Sequence, residues 1–265
     1  MKFSFPRTRS VFVLSATLAL SLSSAASAAT QYVPATGSSQ VVNKSDADAK
    51  DPFSGGAEIN ADLTNGNVKI QTIGGAADVT LRTMPLTTKA KIGYLRNKTD
   101  DRERARTIYG NLRTGLNLAN AVDYFAQGNY FQNKFSGVLN QYEVDTGLGF
   151  YPINTETVSF HVEGGLGYLS EDLTFPRKNS FLLIRPGAGL TLKLSDVADL
   201  NLDGSFIHSF RNNDDWRIMA TGGLTSKITQ FLSLKLSHNI TKRNVAVPTF
   251  VKTDNATLAS LVLKF

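Results

Sequence analysis

A chain of 265 residues without a single cysteine has room for one large β-domain and excludes disulfides, iron–sulfur clusters and zinc–thiolate sites. Its net charge of +6 is dispersed along the sequence, which argues against a nucleic-acid partner. A mean hydropathy of −0.13 is far too low for a bundle of membrane helices, yet it suits a transmembrane β-barrel, where half of every strand faces a polar lumen.

The chain opens on an export pattern. Lys2, Arg7 and Arg9 form a basic stretch, residues 11–22 are apolar, and Ala26-Ser27-Ala28 fits a small-residue cleavage site. The apolar run is shorter than the ~20 residues of a spanning helix. Residues 1–28 are therefore expected to be a signal peptide, and no cysteine follows to carry a lipid anchor. Residues 29–54, rich in Ser, Thr, Asp and Lys and without periodicity, read as a flexible periplasmic extension.

From residue 55 to 265 the pattern changes to a period of two, the signature of strands with two different faces. Twelve alternating segments follow, at about 56–64, 67–82, 86–96, 106–118, 123–133, 140–152, 157–170, 180–194, 198–210, 215–228, 231–242 and 254–265. Most exceed the ~9–11 residues that a tilted strand needs to cross a bilayer. In the fourth segment Ile108, Leu112 and Leu116 share one face and Tyr109, Asn111 and Arg113 the other. In the seventh, Val158, Phe160 and Val162 oppose Ser159, His161 and Glu163.

The connections alternate too. Residues 84–87, 119–122, 154–156, 195–197 and 228–230 are short. Residues 96–104, 133–140, 170–179, 211–215 and 242–255 are mostly longer and more charged. Short turns on one side and long loops on the other predict an outer-membrane barrel with its short turns in the periplasm. Asn65-Gly66 departs from this, reading as a tight hairpin turn on the long side. An even strand count places the N-terminus in the periplasm after signal cleavage.

Aromatic residues gather near strand ends. Tyr94, Tyr130, Tyr142, Tyr168, Phe206 and Trp216 are expected at the outer interface, and Tyr124, Phe150, Phe231 and Phe265 at the inner one. The final strand presents Leu261, Leu263 and Phe265 on one face. A closed barrel pairs such a strand with the first and leaves no naked edge. This terminal pattern resembles the signal that the barrel-assembly machinery reads.

The predicted inward rows are charged. They hold Arg82, Lys89, Lys91, Arg113, Arg185, Lys193, Arg217, Lys227, Lys235 and Lys264. Opposite them stand Glu58, Asp62, Asp78, Glu143, Asp145, Glu163 and Asp203. About eight strands give a lumen filled by side chains and roughly 16–18 an aqueous pore. Twelve lies between, so both a salt-bridged plug and a narrow pore with a mild anion preference are open. Gly147, Gly149, Gly165, Gly167, Gly187 and Gly189 thin one wall of the lumen. They allow strand bending and close packing, or a ligand groove.

Catalytic chemistry finds little support. A hydrolase needs a nucleophile and a base in hydrogen-bond reach. Alternation places His208 and His238 on the lipid-facing rows with Phe206 and Leu236, while Ser209 and Asn239 point inward. Asp100-Asp101 and Asp214-Asp215 read as solvated turns, and Arg102, Arg104, Arg106, Arg177 and Lys178 as solvated loop charge, with contact to lipopolysaccharide phosphates as the alternative. No phosphate loop or metal-ligand cluster is present in the pattern, so no cofactor, metal or enzyme activity is expected. The alternative is an outer-membrane lipid-active hydrolase.

Four stretches carry a family resemblance: Ala90-Lys91-Ile92-Gly93-Tyr94, Val162-Glu163-Gly164-Gly165-Leu166-Gly167-Tyr168, Leu232-Ser233-Leu234-Lys235-Leu236-Ser237, and the closing Leu263-Lys264-Phe265. Residues 87–265 resemble the salt-induced outer-membrane protein family. The resemblance implies an all-β, porin-like antiparallel barrel in the Gram-negative outer membrane, in a salt- or envelope-stress setting. The expected partners are outer-membrane lipid and lipopolysaccharide, from the barrel surface and loop charge, and the barrel-assembly machinery, from the terminal strand. The resemblance supplies no catalytic motif.

Overall fold

The computed structural model describes residues 52–64, 70–119, 121–175 and 178–265. Twelve strands follow one another: β1 (Phe53–Thr64), β2 (Ile70–Thr83), β3 (Leu86–Thr99), β4 (Arg102–Ala119), β5 (Val122–Asn133), β6 (Val138–Asn154), β7 (Val158–Leu173), β8 (Lys178–Ser195), β9 (Ala198–Ser209), β10 (Trp216–Lys227), β11 (Leu232–Arg243) and β12 (Thr253–Lys264). Each pairs antiparallel with its neighbour in sequence, and β1 pairs with β12, so the sheet closes on itself. The expected signal peptide and the Asn65-Gly66 turn lie outside the described residues. So does the expected extension up to residue 51. β1 begins at Phe53, slightly ahead of the barrel start expected at 55.

The seam is tight. Gly56 stands opposite Lys264 and Ile59 opposite Leu261. Gly55 and Phe265 exchange both backbone hydrogen bonds, at 2.9 and 3.0 Å. The Phe265 ring lies where a Cβ on Gly55 would stand, 2.6 Å from that position, so only glycine leaves room for it. Closure satisfies the backbone groups that a last strand would otherwise leave bare, which a membrane interior demands.

The faces are inverted relative to a soluble protein. Ile92, Leu166, Leu182 and Ile59 are about two-thirds exposed on the outside, at 66%, 59%, 62% and 60%. Arg113 and Arg185 are fully enclosed on the inside, at 0%. Water would reject an apolar patch of this extent, and hydrocarbon accepts it. Nine of the ten aromatic residues expected at the two interfaces fall on the outward parity of their strands; Phe231 lies in the turn before β11, on the parity of the inward Ser233. The molecule is a transmembrane β-barrel.

The loop side differs from expectation. Strands β3 and β4 run on to a turn at Asp100 and Asp101, both left-handed (φ 50° and 61°). The expected loop 96–104 is therefore mostly hairpin. Aspartate tolerates this conformation and suits a two-residue turn. Strands β6, β7 and β8 likewise lengthen to 17, 16 and 18 residues; β7 and β8 absorb most of the expected loop 170–179, while the loop 133–140 keeps a 3-10 segment at Lys134–Ser136 before β6. In these extensions the outward row is polar while the inward row stays buried, as at Thr107, Val138, Glu171 and Leu173. The connection 244–252 stays irregular and folds inward over the barrel.

Candidate functional site: the lumen

The side chains predicted to line the lumen fall on the inward parity of their strands, and they divide by height. At mid-height β4 presents Arg113. It reaches Glu163 on β7 at 3.0 Å, Gln127 on β5 at 3.1 Å and Asp123 at 3.9 Å, and stacks 3.9 Å from the centre of the Phe125 ring. Arg185 on β8 reaches Glu143 at 2.6 Å and Asp145 at 3.3 Å, both on β6. Gln127 joins the two groups by donating to Asp145 at 2.9 Å. The result is one connected layer across five adjacent strands. Arginine suits it, since the planar fork bonds two acceptors at once.

The inward glycines make this layer possible. Asp123 leans over Gly149, the Phe125 ring over Gly165, Asp145 over Gly167, Glu163 over Gly187 and His161 over Gly189. In each case a Cβ on the glycine would meet a side chain of another strand, the adjacent one except for Phe125, which reaches over β6 to Gly165. Gly147 instead faces the backbone of Gly164 and Gly165. Of the two readings of this wall, close packing is what occurs: the space a groove would need holds charged side chains.

Toward the loops the lumen turns apolar. Leu169, Phe181, Leu183, Ile207 and Met219 form a buried cluster from β7 to β10. Arg217 on β10 stands beside it, 5.3 Å from the Phe181 ring centre. It bonds Glu171 on β7 at 2.7 and 3.1 Å, and Arg243 on β11 bonds the same carboxylate at 3.0 Å. Asn179 and Asp215 complete the group. Above it, Val247 from the 244–252 connection is buried among Tyr109, Phe131, Val138 and Leu173, with Phe250 packed against them.

Toward the short turns the lumen is looser and mixed in charge. Lys235 pairs with Glu58 at 3.1 Å, and Arg82 donates to Ser54 at 2.9 Å. Lys89, Lys91, Asp78 and Asp203 share this end on the inward rows. Lys193 bonds Asp196 at 3.0 Å in the turn after β8, and that contact holds the Asp196 carboxyl below its usual range. A cavity of about 300 Å³ opens here, lined among others by Glu156, Ser159, Lys193, Asn201 and Lys264. The Asp62 side chain lies outside the described residues.

Sequence reasoning missed several members. Glu171 and Arg243 fall within the expected loops 170–179 and 242–255, but they sit in β7 and β11 as one enclosed pair. Asp123, Gln127 and Tyr109 were on inward rows without being singled out. The alternation Ser170-Glu171-Asp172-Leu173 carried a usable signal for Glu171. His208 stacks on Phe206, and His238 shares a 2.8 Å hydrogen bond with Thr257, both on outward rows. Among the described residues no group of three His, Asp or Glu side chains is placed to hold a metal.

Fold and lumen define the class: a twelve-stranded transmembrane barrel with a charged, side-chain-filled interior. The chain belongs to the DUF481 family, proteins of unknown function, whose model matches residues 57–265. No curated protein matches it. Among solved structures it is similar to the COG4313 outer membrane channel from Pseudomonas putida F1, at 13% identity and a TM-score of 0.48, covering 88% of this chain and 100% of that one. It is also similar to the NanC porin, at 9% identity and a TM-score of 0.47, over 80% and 97% of the two chains. A third is the translocator domain of autotransporter NalP from Neisseria meningitidis, at 16% identity and a TM-score of 0.44, over 82% and 89%.

Proposed function

We propose that this protein is a barrel of the Gram-negative outer membrane whose lumen is closed in the state described, acting as a structural envelope element or, when its lumen rearranges, a narrow pore. The observation that carries the reading is the complete enclosure of Arg113 and Arg185, each bonded to carboxylates on other strands at mid-height. A water-filled pore would leave such side chains wet. The short turns face the periplasm and the extended hairpins face outward. Leu261, Leu263 and Phe265, outward at the seam, serve recognition by the assembly machinery. The role in salt or envelope stress rests on the resemblance of residues 87–265 alone. Solute release from proteoliposomes tests the reading. The folded chain should retain entrapped small sugars and ions as protein-free vesicles do; rapid release of either would contradict it.

A further inference from the structure

The loop-side rim of β9, β10 and β11 carries an outward arrangement that lumen closure does not use. Phe206, Ile218 and Ile240 lie outward on these three strands, with Ile218 directly opposite Phe206. One step nearer the loops, His208 stands opposite Trp216, and Lys242 stands opposite Ile218. The His208 ring stacks on Phe206 with centroids 6.3 Å apart and planes 11° apart. Trp216 leans on the same Phe206 at 6.2 Å. The Lys242 ammonium is held 5.4 Å from the centre of the indole. In the turn after β9, Arg211 reaches the other way, donating to the Ser180 carbonyl on β8 at 3.2 Å.

Of the acidic groups around this rim, two lie on the inner side and Asp214 stays exposed in the turn. Asp215 faces inward onto Arg217 and Asn179. Asp254 lies on the inward parity of β12. Asp214, in the turn, uses its backbone carbonyl to accept from Asn244 at 2.9 Å. Among the described residues neither Lys242 nor Arg211 has a carboxylate partner. A cation held against an indole keeps its N–H donors and is already ordered, so it loses little entropy on meeting an anion. Aromatic rings of this kind prefer headgroup depth, with apolar chain below and phosphate above.

We propose that this rim binds the phosphate of an anionic, acylated lipid of the surrounding leaflet. Lys242 contacts the phosphate, His208 donates a hydrogen bond, and Phe206, Ile218 and Ile240 lie along the acyl chains. The inference rests on the outer-membrane reading, with the loops outward.

Trp216 is the only tryptophan of the chain, so its emission reports on this rim directly. The refolded full barrel is placed in phosphatidylcholine nanodiscs and titrated with diphosphoryl lipid A, with its dephosphorylated form, and with inorganic phosphate. The expected result is a saturable change in Trp216 emission with the phosphorylated lipid alone, weakened about tenfold or more in the Lys242→Gln variant, as expected when a charge-assisted bond is lost. An equal response to the dephosphorylated lipid, or unchanged binding by the variant, overturns the site. A response to inorganic phosphate as strong as that to the lipid overturns the lipid as its source. Quenching of Trp216 by brominated phosphatidylcholine is measured on the same sample. Its absence sinks the membrane reading itself, whatever the phosphate result.

Discussion

Arg185 on β8 and Glu143 on β6 form an ion pair of 2.6 Å in which neither side chain is reached by solvent. They sit two strands apart, with β7 between them, so the bond spans the inner face of the barrel wall rather than a ladder of neighbours. Asp145 adds a second carboxylate at 3.3 Å. Removing one member of a buried pair is costly because the other charge stays enclosed without compensation, on the order of 3–5 kcal/mol. Arg185→Ala should therefore destabilise the folded barrel by that order, seen as a lower urea midpoint in detergent. Replacing both Glu143 and Asp145 by their amides in the same background should recover part of the loss. A midpoint unchanged by Arg185→Ala would show that the pair contributes nothing to closure.

Gly137 turns the chain out of the 3-10 segment Lys134–Ser136 at φ 79°. A Cβ there would stand 2.9 Å from both Val247 and Phe250. Gly137→Ala must therefore adopt a strained backbone and also displace the inward-folded connection, a cost of about 1–3 kcal/mol. Limited proteolysis should cut the variant faster within 244–252 while the strands stay protected. Equal cutting rates in the variant and the parent would mean that the connection does not depend on this contact.

Leu166 and Leu236 are exposed on the outside near the middle of β7 and β11. A positive charge facing hydrocarbon at mid-depth costs about 2–4 kcal/mol, and less toward the interfaces. Leu236→Arg should lower the yield of folded, heat-modifiable barrel in lipid vesicles, while Phe210→Arg, beyond the loop end of β9, should lower it far less. Equal yields would argue that this surface does not meet lipid.

Phe265 closes the seam through two backbone bonds to Gly55 and packs near Phe53, with ring centroids 6.4 Å apart. Deleting Phe265 removes the bonds and the ring together. In cells the truncated chain should accumulate unassembled. Phe265→Tyr, which keeps the ring and the backbone, should assemble as the parent does. Normal assembly of the deletion would contradict an assembly role for this residue.

Much of this could be read from residue order alone, because a membrane barrel writes its two solvents into alternate positions. Val162, Leu166 and Leu236 announced an outside, and Glu163, Arg185 and Lys235 an inside, so the twelve strands and their order were recoverable. What failed was of two kinds. Toward the loop end the outward row turns polar, so Arg102, Arg104 and Arg106 on β4 look like a loop although they belong to a strand whose inward Ala105 and Thr107 are buried. Partners across the lumen leave no periodic trace either: nothing in the spacing joins Arg243 to Glu171, which are 72 residues apart. The inward fold of Val247 and Phe250 depends on the cleft that Tyr109, Phe131, Val138 and Leu173 create, which exists only once the barrel has closed.

The central claim is that the lumen is shut by its own side chains. Single-channel recording of the refolded chain in planar bilayers, across a range of KCl, addresses it most directly, with folding and insertion established on the same sample. The account predicts a flat baseline for the parent protein, and discrete steps once Arg113 and Arg185 are both replaced by Ala and the connection 244–252 is shortened. Steady steps from the unmodified barrel would contradict it, and their reversal potential in a salt gradient would then show whether the inward lysines and arginines select anions.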